Sequence, residues 1–199
     1  MMEESDYLAD RLANLGKRGE TAESELTATR LARLANVVSE RPEARPTLRS
    51  KQNWIQRMYS WSDEPEVTYI PPSPEDLPTL FRHWTQWTKR QLGGRTMPPL
   101  ILAVIGSFGL NYLHPFVDGN GRVHRYLFQA LLVWSQAIPP GAAAPVSPEL
   151  YDVKWKYSNA LEDFSDRVML APDHDPDTNA DELRTTSRHP PSLHQYCAA

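Results

Sequence analysis

A run of apolar residues from Pro98 to Leu113, broken by Gly106, Ser107, Gly109 and Asn111, restricts the fold of this chain more than any other feature. It is apolar on nearly every face of a helix, which predicts a helix placed centrally in the protein. It falls short of the ~20 apolar residues that cross a bilayer, and no other segment comes closer. A second strong helix is predicted from about Asn120 to Gln136. Its buried face carries Val123, Tyr126, Leu127, Ala130, Leu131 and Trp134, and Pro139-Pro140-Gly141 breaks it.

The remaining readable pattern is also helical. Leu26, Leu31, Leu34, Ala35 and Val38 recur at helical spacing, with Thr21 as N-cap and Glu23 and Glu25 in the positively polarised first turn. A polar, proline-marked stretch follows from Ser39 to Ser50. Val67-Thr68-Tyr69-Ile70 is β-branched and aromatic and is blocked by Pro71-Pro72, which predicts an extended hairpin arm. Ser73-Pro74-Glu75-Asp76 starts a helix with Leu77, Leu80, Phe81, Trp84 and Trp87 on its buried stripe, and Gly93-Gly94 stops it. Ser147-Pro148-Glu149 starts another, carrying Leu150, Val153, Tyr157, Ala160, Leu161 and Phe164. Beyond Pro172 large apolar residues are scarce, which predicts a mobile tail. The expected organisation is a helical extension over 1–44, a core over 45–168 and a tail over 169–199.

Composition excludes several classes of function. The formal net charge of -4 gives no electrostatic case for nucleic acid. The tryptophans at 84, 87 and 134 lie on apolar stripes and are read as core rather than as a stacking platform. The single cysteine, Cys197, supports neither a disulfide framework nor a structural zinc site, as expected for a cytoplasmic protein. The polar, acidic N-terminus lacks the apolar stretch of a secretory signal. The acidic run from Asp173 to Asp181 lacks the glycine and bidentate glutamate of a calcium loop.

Chemistry concentrates between the two strongest helices, in His114-Pro115-Phe116-Val117-Asp118-Gly119-Asn120-Gly121-Arg122-Val123-His124-Arg125. A loop entering a helix N-terminus offers unpaired N–H groups and the positive end of the helix dipole. Gly119 and Gly121 let a ligand approach that backbone, making a nest suited to phosphates. Arg122 and Arg125 are three residues apart and so project to one side of the helix, either as further phosphate ligands or as a solvated, salt-bridged face. Asp118 is either the N-cap of that helix or a hard oxygen ligand for Mg²⁺. His114 is either a cap on the preceding helix or a base that takes a proton from a hydroxyl. Phe116 anchors the loop in the core, and His124 faces away, at the surface or behind the site. Together these parts describe in-line attack on a phosphorus atom, with the protein supplying position, charge neutralisation and one base.

This run resembles the signature of the Fic family, His-x-Phe-x-Asp/Glu-Gly-Asn-Gly-Arg-x-x-Arg: eight specified residues in a twelve-residue window, all present. Arg49 through Ile55 resembles the segment before the target-binding flap of that family, and Thr68-Tyr69-Ile70-Pro71-Pro72 resembles the flap, so the likeness covers about residues 45 to 165. The resemblance implies an all-α, Fic-type helical bundle with a short β-hairpin flap near residues 65–72. It implies a protein adenylyltransferase that moves AMP from ATP, its co-substrate, to a Tyr, Thr or Ser hydroxyl exposed on a target protein. His114 would deprotonate that hydroxyl, and Asp118 would bind Mg²⁺ bridging the α- and β-phosphates. Gly119, Asn120 and Gly121 would form the anion hole, with Arg122 on the outer phosphates and Arg125 on the γ-phosphate. Thr68, Tyr69 and Ile70 would clamp the target backbone as an added strand.

Alternatives within the family are transfer of UMP, phosphocholine or phosphate, or removal of AMP. The intact nest favours nucleotidyl transfer over phosphate transfer. A peptide-binding module without catalysis is the non-enzymatic alternative, and it would need neither His114 nor Asp118. A DNA-binding regulator would need an extra domain for which too few apolar residues remain. Many relatives are restrained by a helix bearing Ser/Thr-x-x-x-Glu-Gly/Asn, whose Glu pairs with the second motif arginine. Thr21-Ala22-Glu23-Ser24-Glu25-Leu26 matches its first two specified positions, so Glu25 is the candidate to reach Arg125, against the simpler reading of acids favouring a helix dipole. Otherwise restraint comes from a separate antitoxin-like protein, or there is none; a homo-oligomer is a further candidate partner. No nucleic-acid or membrane partner is expected.

Overall fold

Amphipathic stripes of the predicted period come together in a computed structural model as an all-α fold with one short hairpin. The structure describes residues 4–15, 21–39, 42–57 and 66–142, together with 144, 156, 159–161, 163 and 164. The element order is α1 (Glu4–Asn14), α2 (Ala22–Glu25), α3 (Ala28–Val37), β1 (Ile55–Arg57), β2 (Glu66–Tyr69), α4 (Leu77–Gly94), α5 (Pro99–Leu113) and α6 (Asn120–Trp134). Helices α4 and α6 pack on α5, and α1 and α3 pack on α6. One hydrophobic core joins Leu15, Leu26 and Leu31 from the N-terminal helices to Leu110, Leu127 and Leu131. No helix among the described residues is long and apolar enough to cross a membrane.

Helix α1 lies in the expected N-terminal helical extension, ahead of the stripe read from Leu26. Leu8, Leu12 and Leu15 follow helical spacing, and Leu15 is fully buried. The single helix expected from Thr21 to Val38 is instead two. Thr21 caps α2 reciprocally with Ser24: the Ser24 N–H donates to Thr21 Oγ1 at 3.3 Å and the Thr21 N–H donates to Ser24 Oγ at 3.1 Å. Thr27 then starts α3, its hydroxyl accepting from the Arg30 N–H at 3.3 Å. Two threonines six residues apart each compete for a helix start, and Leu26 absorbs the break while staying buried.

The hairpin arm finds its partner in β1, with Ile55 opposite Tyr69, Gln56 opposite Val67 and Arg57 opposite Glu66, and a bulge between Ile55 and Gln56. Tyr69 faces the core and donates its hydroxyl to the Tyr112 carbonyl at 2.5 Å. Helix α4 buries the expected Leu77, Leu80, Phe81, Trp84 and Trp87, but begins one turn after Ser73 and ends on a left-handed Arg95 rather than on a glycine.

Helix α5 is central only on one side. Leu102, Ala103, Leu110 and Leu113 are buried, whereas Leu100, Ile101, Val104 and Ile105 are 44–58% exposed, because α4 and α6 cover only one side of it. Its glycines serve that packing. A Cβ at Gly109 would stand 2.8 Å from the Trp84 ring, and one at Gly106 would stand 2.8 Å from Leu131. The Trp84 indole N–H also donates to the Gly106 carbonyl at 2.9 Å. Helix α6 matches its predicted face, with Trp134 half-buried. The start of the helix expected after Ser147 and the tail beyond 169 fall outside the described residues. Leu161 is buried, and Phe164 sets its ring edge-on to Phe108 and Tyr112.

Candidate active site

The loop between α5 and α6 is shaped by its own residues. His114 terminates α5 in the left-handed conformation, φ 43°, with its N–H bonded to the Leu110 carbonyl at 3.0 Å. The backbone of His114 therefore does cap the helix, while its ring remains available. Asn120 clamps the loop from the first turn of α6. Its Nδ2 donates to the Phe116 carbonyl at 2.7 Å and its Oδ1 accepts from the Phe116 N–H at 3.0 Å. Phe116 is buried, as expected of the anchor. The Asn120 side chain is thus spent on the loop, and it is the main chain of this turn that faces a ligand.

Gly119 precedes α6 at φ 81°, and a Cβ there would lie 2.7 Å from the Ala35 carbonyl oxygen of α3. Its lack of a side chain serves the junction with α3. Gly121 is different: it is exposed, and a Cβ there would meet only Arg125 Nη1, at 3.6 Å. The N–H groups of Asn120 and Gly121, at the first turn of α6, have no acceptor among the described residues. The Gly119 N–H is taken by Asp118 Oδ1 at 2.6 Å.

Helix α3 ends against this turn. Ser39 Oγ donates to Asp118 Oδ2 at 2.9 Å, and Arg122 Nη1 donates to the Val38 carbonyl at 2.7 Å. Arg122 Nη1 also stands 4.0 Å from Asp118 Oδ2. Asp118 is not the N-cap of α6, a position held by Gly119, and its half-exposed carboxylate lies at the mouth of the nest. No group of three or more carboxylates, histidines or cysteines able to hold a metal occurs among the described residues. A single hard carboxylate suits Mg²⁺ that takes its other ligands from phosphates and water.

The His114 ring is mostly enclosed. Its Nδ1 is buried with no well-formed hydrogen bond, although the Asn111 backbone lies close enough to favour the protonated ring. Nε2 is left as the nitrogen that meets solvent. Burial first, then the nearby Arg49 cation, lowers the pKa of His114 to about 4, against smaller opposing effects of Asn111 and Asp118. The imidazole is therefore neutral at physiological pH, as a base must be.

Arg49 had no expected chemical role, and the structure makes it prominent. Its guanidinium is buried and bonds to the carbonyls of His114, Lys51 and Pro72. Gln52 reaches the Pro71 carbonyl at 2.7 Å, and Asn53 reaches that of Phe116 at 3.1 Å. These ties bring the hairpin arm beside the His114 loop. In the arm itself, the Tyr69 side chain is core and Ile70 is partly exposed. The sequence signal at Arg49 was its place at the head of the segment resembling the one before the flap; beside Arg41, Arg45 and Lys51, nothing local marks it as the buried cation.

Of the two placements expected of His124 the structure excludes the surface: it is buried, and burial followed by the Arg125 charge lowers its pKa to about 4. One expectation fails. Glu25 does not reach Arg125. It is buried against Arg11, at 2.8 Å from Nη2, with Arg30 3.9 Å away. The break at Leu26–Thr27 turns α2 toward α1 and α4, which leaves Glu25 among the cations of the N-terminal helices.

Comparison with known proteins identifies the family. The model of the Fic/DOC family matches residues 31–132. The protein adenylyltransferase Fic of Drosophila sechellia is 38% identical over 65 residues, a stretch that is 33% of this chain and 13% of that protein. This chain thus matches only a small part of the curated relative. A Fic domain-containing signalling protein from Bacteroides thetaiotaomicron superposes with a TM-score of 0.62 at 19% identity, covering 90% of this chain and 62% of that one. A Fic family protein from Desulfovibrio desulfuricans gives 0.60 at 18%, covering 82% and 44%.

Proposed function

From the premise that this chain belongs to the Fic/DOC family, we propose that it is a protein adenylyltransferase, moving AMP from ATP to a Tyr, Thr or Ser hydroxyl of a target protein. The observation that carries the reading is the loop itself: it starts at His114, the C-cap of α5, and ends at the first turn of α6, where the Asn120 and Gly121 amides have no acceptor among the described residues. A base and an anion nest at the two ends of one short loop are the minimum for attack by a hydroxyl on a phosphate ester.

In this reading His114 Nε2 accepts the hydroxyl proton as the oxygen attacks the α-phosphorus. The bond from that phosphorus to the oxygen bridging to the β-phosphate breaks, and pyrophosphate leaves. The target oxygen ends as a phosphodiester to AMP. The amides of Asn120 and Gly121 receive the charge that gathers on the α-phosphoryl oxygens. Arg122 and Arg125 hold the outer phosphates with charge-assisted bonds. Asp118 would hold Mg²⁺, which would supply charge neutralisation for the departing pyrophosphate. The main chain of 68–70 aligns the target as an added strand.

The test is incubation of the purified chain, alone and with cell extract, with Mg²⁺ and a mixture of nucleoside triphosphates, followed by mass spectrometry. A gain of one AMP on the chain or on a target, abolished by His114→Ala, is expected. A gain of UMP, or equal labelling by the His114→Ala protein, would overturn the assignment.

A further inference from the structure

Arg49 is a cation held out of water without an anion. It is 3% exposed, and its hydrogen bonds all go to neutral oxygens. Nε donates to the His114 carbonyl at 2.9 Å, and Nη2 to the Pro72 carbonyl at 2.5 Å. Nη1 donates to the Lys51 carbonyl at 3.2 Å and to Gln52 Oε1 at 3.3 Å. Its own backbone N–H donates to the Pro115 carbonyl at 2.9 Å. Burial lowers its pKa to about 10, so it stays charged at neutral pH. No carboxylate pairs with it among the described residues. Burying a charge without a counter-ion is expensive, and an apolar side chain would fill the same space at less cost.

What the guanidinium does that an apolar group cannot is join three segments through one rigid plane. These are the loop bearing His114, the chain leading into β1, and the chain leaving β2 at Pro71-Pro72. Gln52 and Asn53 add parallel ties on either side, to Pro71 and Phe116. A lysine would keep the charge but has no planar fork that spans carbonyls in fixed directions.

We propose that Arg49 is a positioning residue for the transfer reaction: it fixes the hairpin to the His114 loop, so that a polypeptide laid along the hairpin is held at a set distance from the imidazole. The inference rests on the adenylyltransferase reading. It assigns Arg49 to the acceptor side of the reaction, because its bonds reach the hairpin and the base and none reaches the nest residues 118–122. A misplacement of about 1 Å in an attacking group can cost on the order of 100-fold in rate.

The experiment compares wild type with Arg49→Lys and with the milder Gln52→Ala. The co-substrate is Mg²⁺-ATP and the acceptor is the full-length His114→Ala chain. Circular dichroism confirms the fold of each variant before kinetics. Arg49→Lys is expected to lower kcat by 10- to 100-fold while KM for ATP stays within twofold. Gln52→Ala, which keeps Arg49 but removes one parallel tie, is expected to lower kcat by a few-fold with the same unchanged KM. A purely structural Arg49 would reduce the folded fraction without separating the two constants. Wild-type kcat in folded Arg49→Lys overturns the proposal. So does a rise in KM for ATP equal to the fall in kcat. If Arg49→Lys does not fold, Gln52→Ala decides alone, and an unchanged kcat there overturns the proposal. Wild type that transfers nothing to any acceptor overturns the parent reading, and the assignment of Arg49 falls with it.

Discussion

Exchanging each motif glycine for alanine should separate stability from function, because the two glycines solve different problems. Gly119 sits at φ 81°, a conformation that costs an L-residue roughly 1–2 kcal/mol. Its new Cβ would also stand 2.7 Å from the Ala35 carbonyl oxygen, about 0.7 Å inside ordinary contact, so α3 would have to retreat. Overpacking of that kind costs about 1–3 kcal/mol, giving about 2–5 kcal/mol for Gly119→Ala in all. For a chain of 199 residues this is a fall in Tm on the order of 10 °C. Gly121 lies in the first turn of α6 with an ordinary φ, and its Cβ would meet only the tip of Arg125 at 3.6 Å. Gly121→Ala should leave Tm unchanged or raise it, since alanine is favoured over glycine in a helix by up to about 1 kcal/mol. The same Cβ would stand in front of the amides proposed to meet the α-phosphate, so Mg²⁺-ATP binding should weaken at least tenfold. Thermal melts by circular dichroism and titration calorimetry with ATP read both quantities. The reasoning is refuted if Gly119→Ala melts with wild type, or if Gly121→Ala is the destabilised variant.

Much of this architecture is legible from apolar spacing. The stripes of α4 and α6 and the twelve-residue run at their junction with α5 are local patterns, and local patterns report which face excludes water. What spacing cannot report is which segment lies opposite. The partner of Tyr69 is Ile55, in a three-residue strand whose other members are the polar Gln56 and Arg57, too short and too mixed for any period to emerge. The exposed side of α5 is as apolar as its buried side, so composition assigned both to the core. Glu25 and Arg11 are fourteen residues apart, and nothing local tells an acid that caps a dipole from one that enters a buried pair. Arg49, Ser39 and Asn53 illustrate the same limit for the site. Each is placed by long-range bonds, among them those to residues 65, 79 and 63 positions away.

Acid should unfold this protein earlier than its carboxylates alone would require. His114 and His124 hold pKa values of about 4 in the fold against 6.5 in an open chain. The unfolded state takes up protons first, so stability is complete above about pH 6.5 and is lost as the pH falls toward 4. At pH 5 each histidine should withdraw up to about 2 kcal/mol. A urea midpoint that stays constant between pH 7.5 and 5 would contradict this, and His124→Gln should remove about half the fall. Glu25→Gln should lower stability by about 1–3 kcal/mol through its weakened bond to Arg11 and leave the rate of AMP labelling unchanged. Faster labelling by that variant would return Glu25 to a restraining role.

The meeting of α3 with α6 sets how a triphosphate would be held. Arg122 already has an acceptor in the Val38 carbonyl, and Asp118 already accepts from Ser39. A phosphate at Nη1 would therefore share or replace the Val38 carbonyl, whereas one at another N–H of the fork would not. A charged acceptor bonds roughly twice as strongly as a neutral one, so the exchange favours phosphate, but by less than the full strength of the new bond. The same holds at Asp118, where a cation would compete with a hydroxyl donor for Oδ2. Because the contacts involved lie on adjacent residues of one helix end, displacement at Arg122 and at Asp118 pulls on the same turn, Val38-Ser39. Occupation of one position then lowers the cost of occupying the other. Such displacements would couple nucleotide to metal through the end of α3.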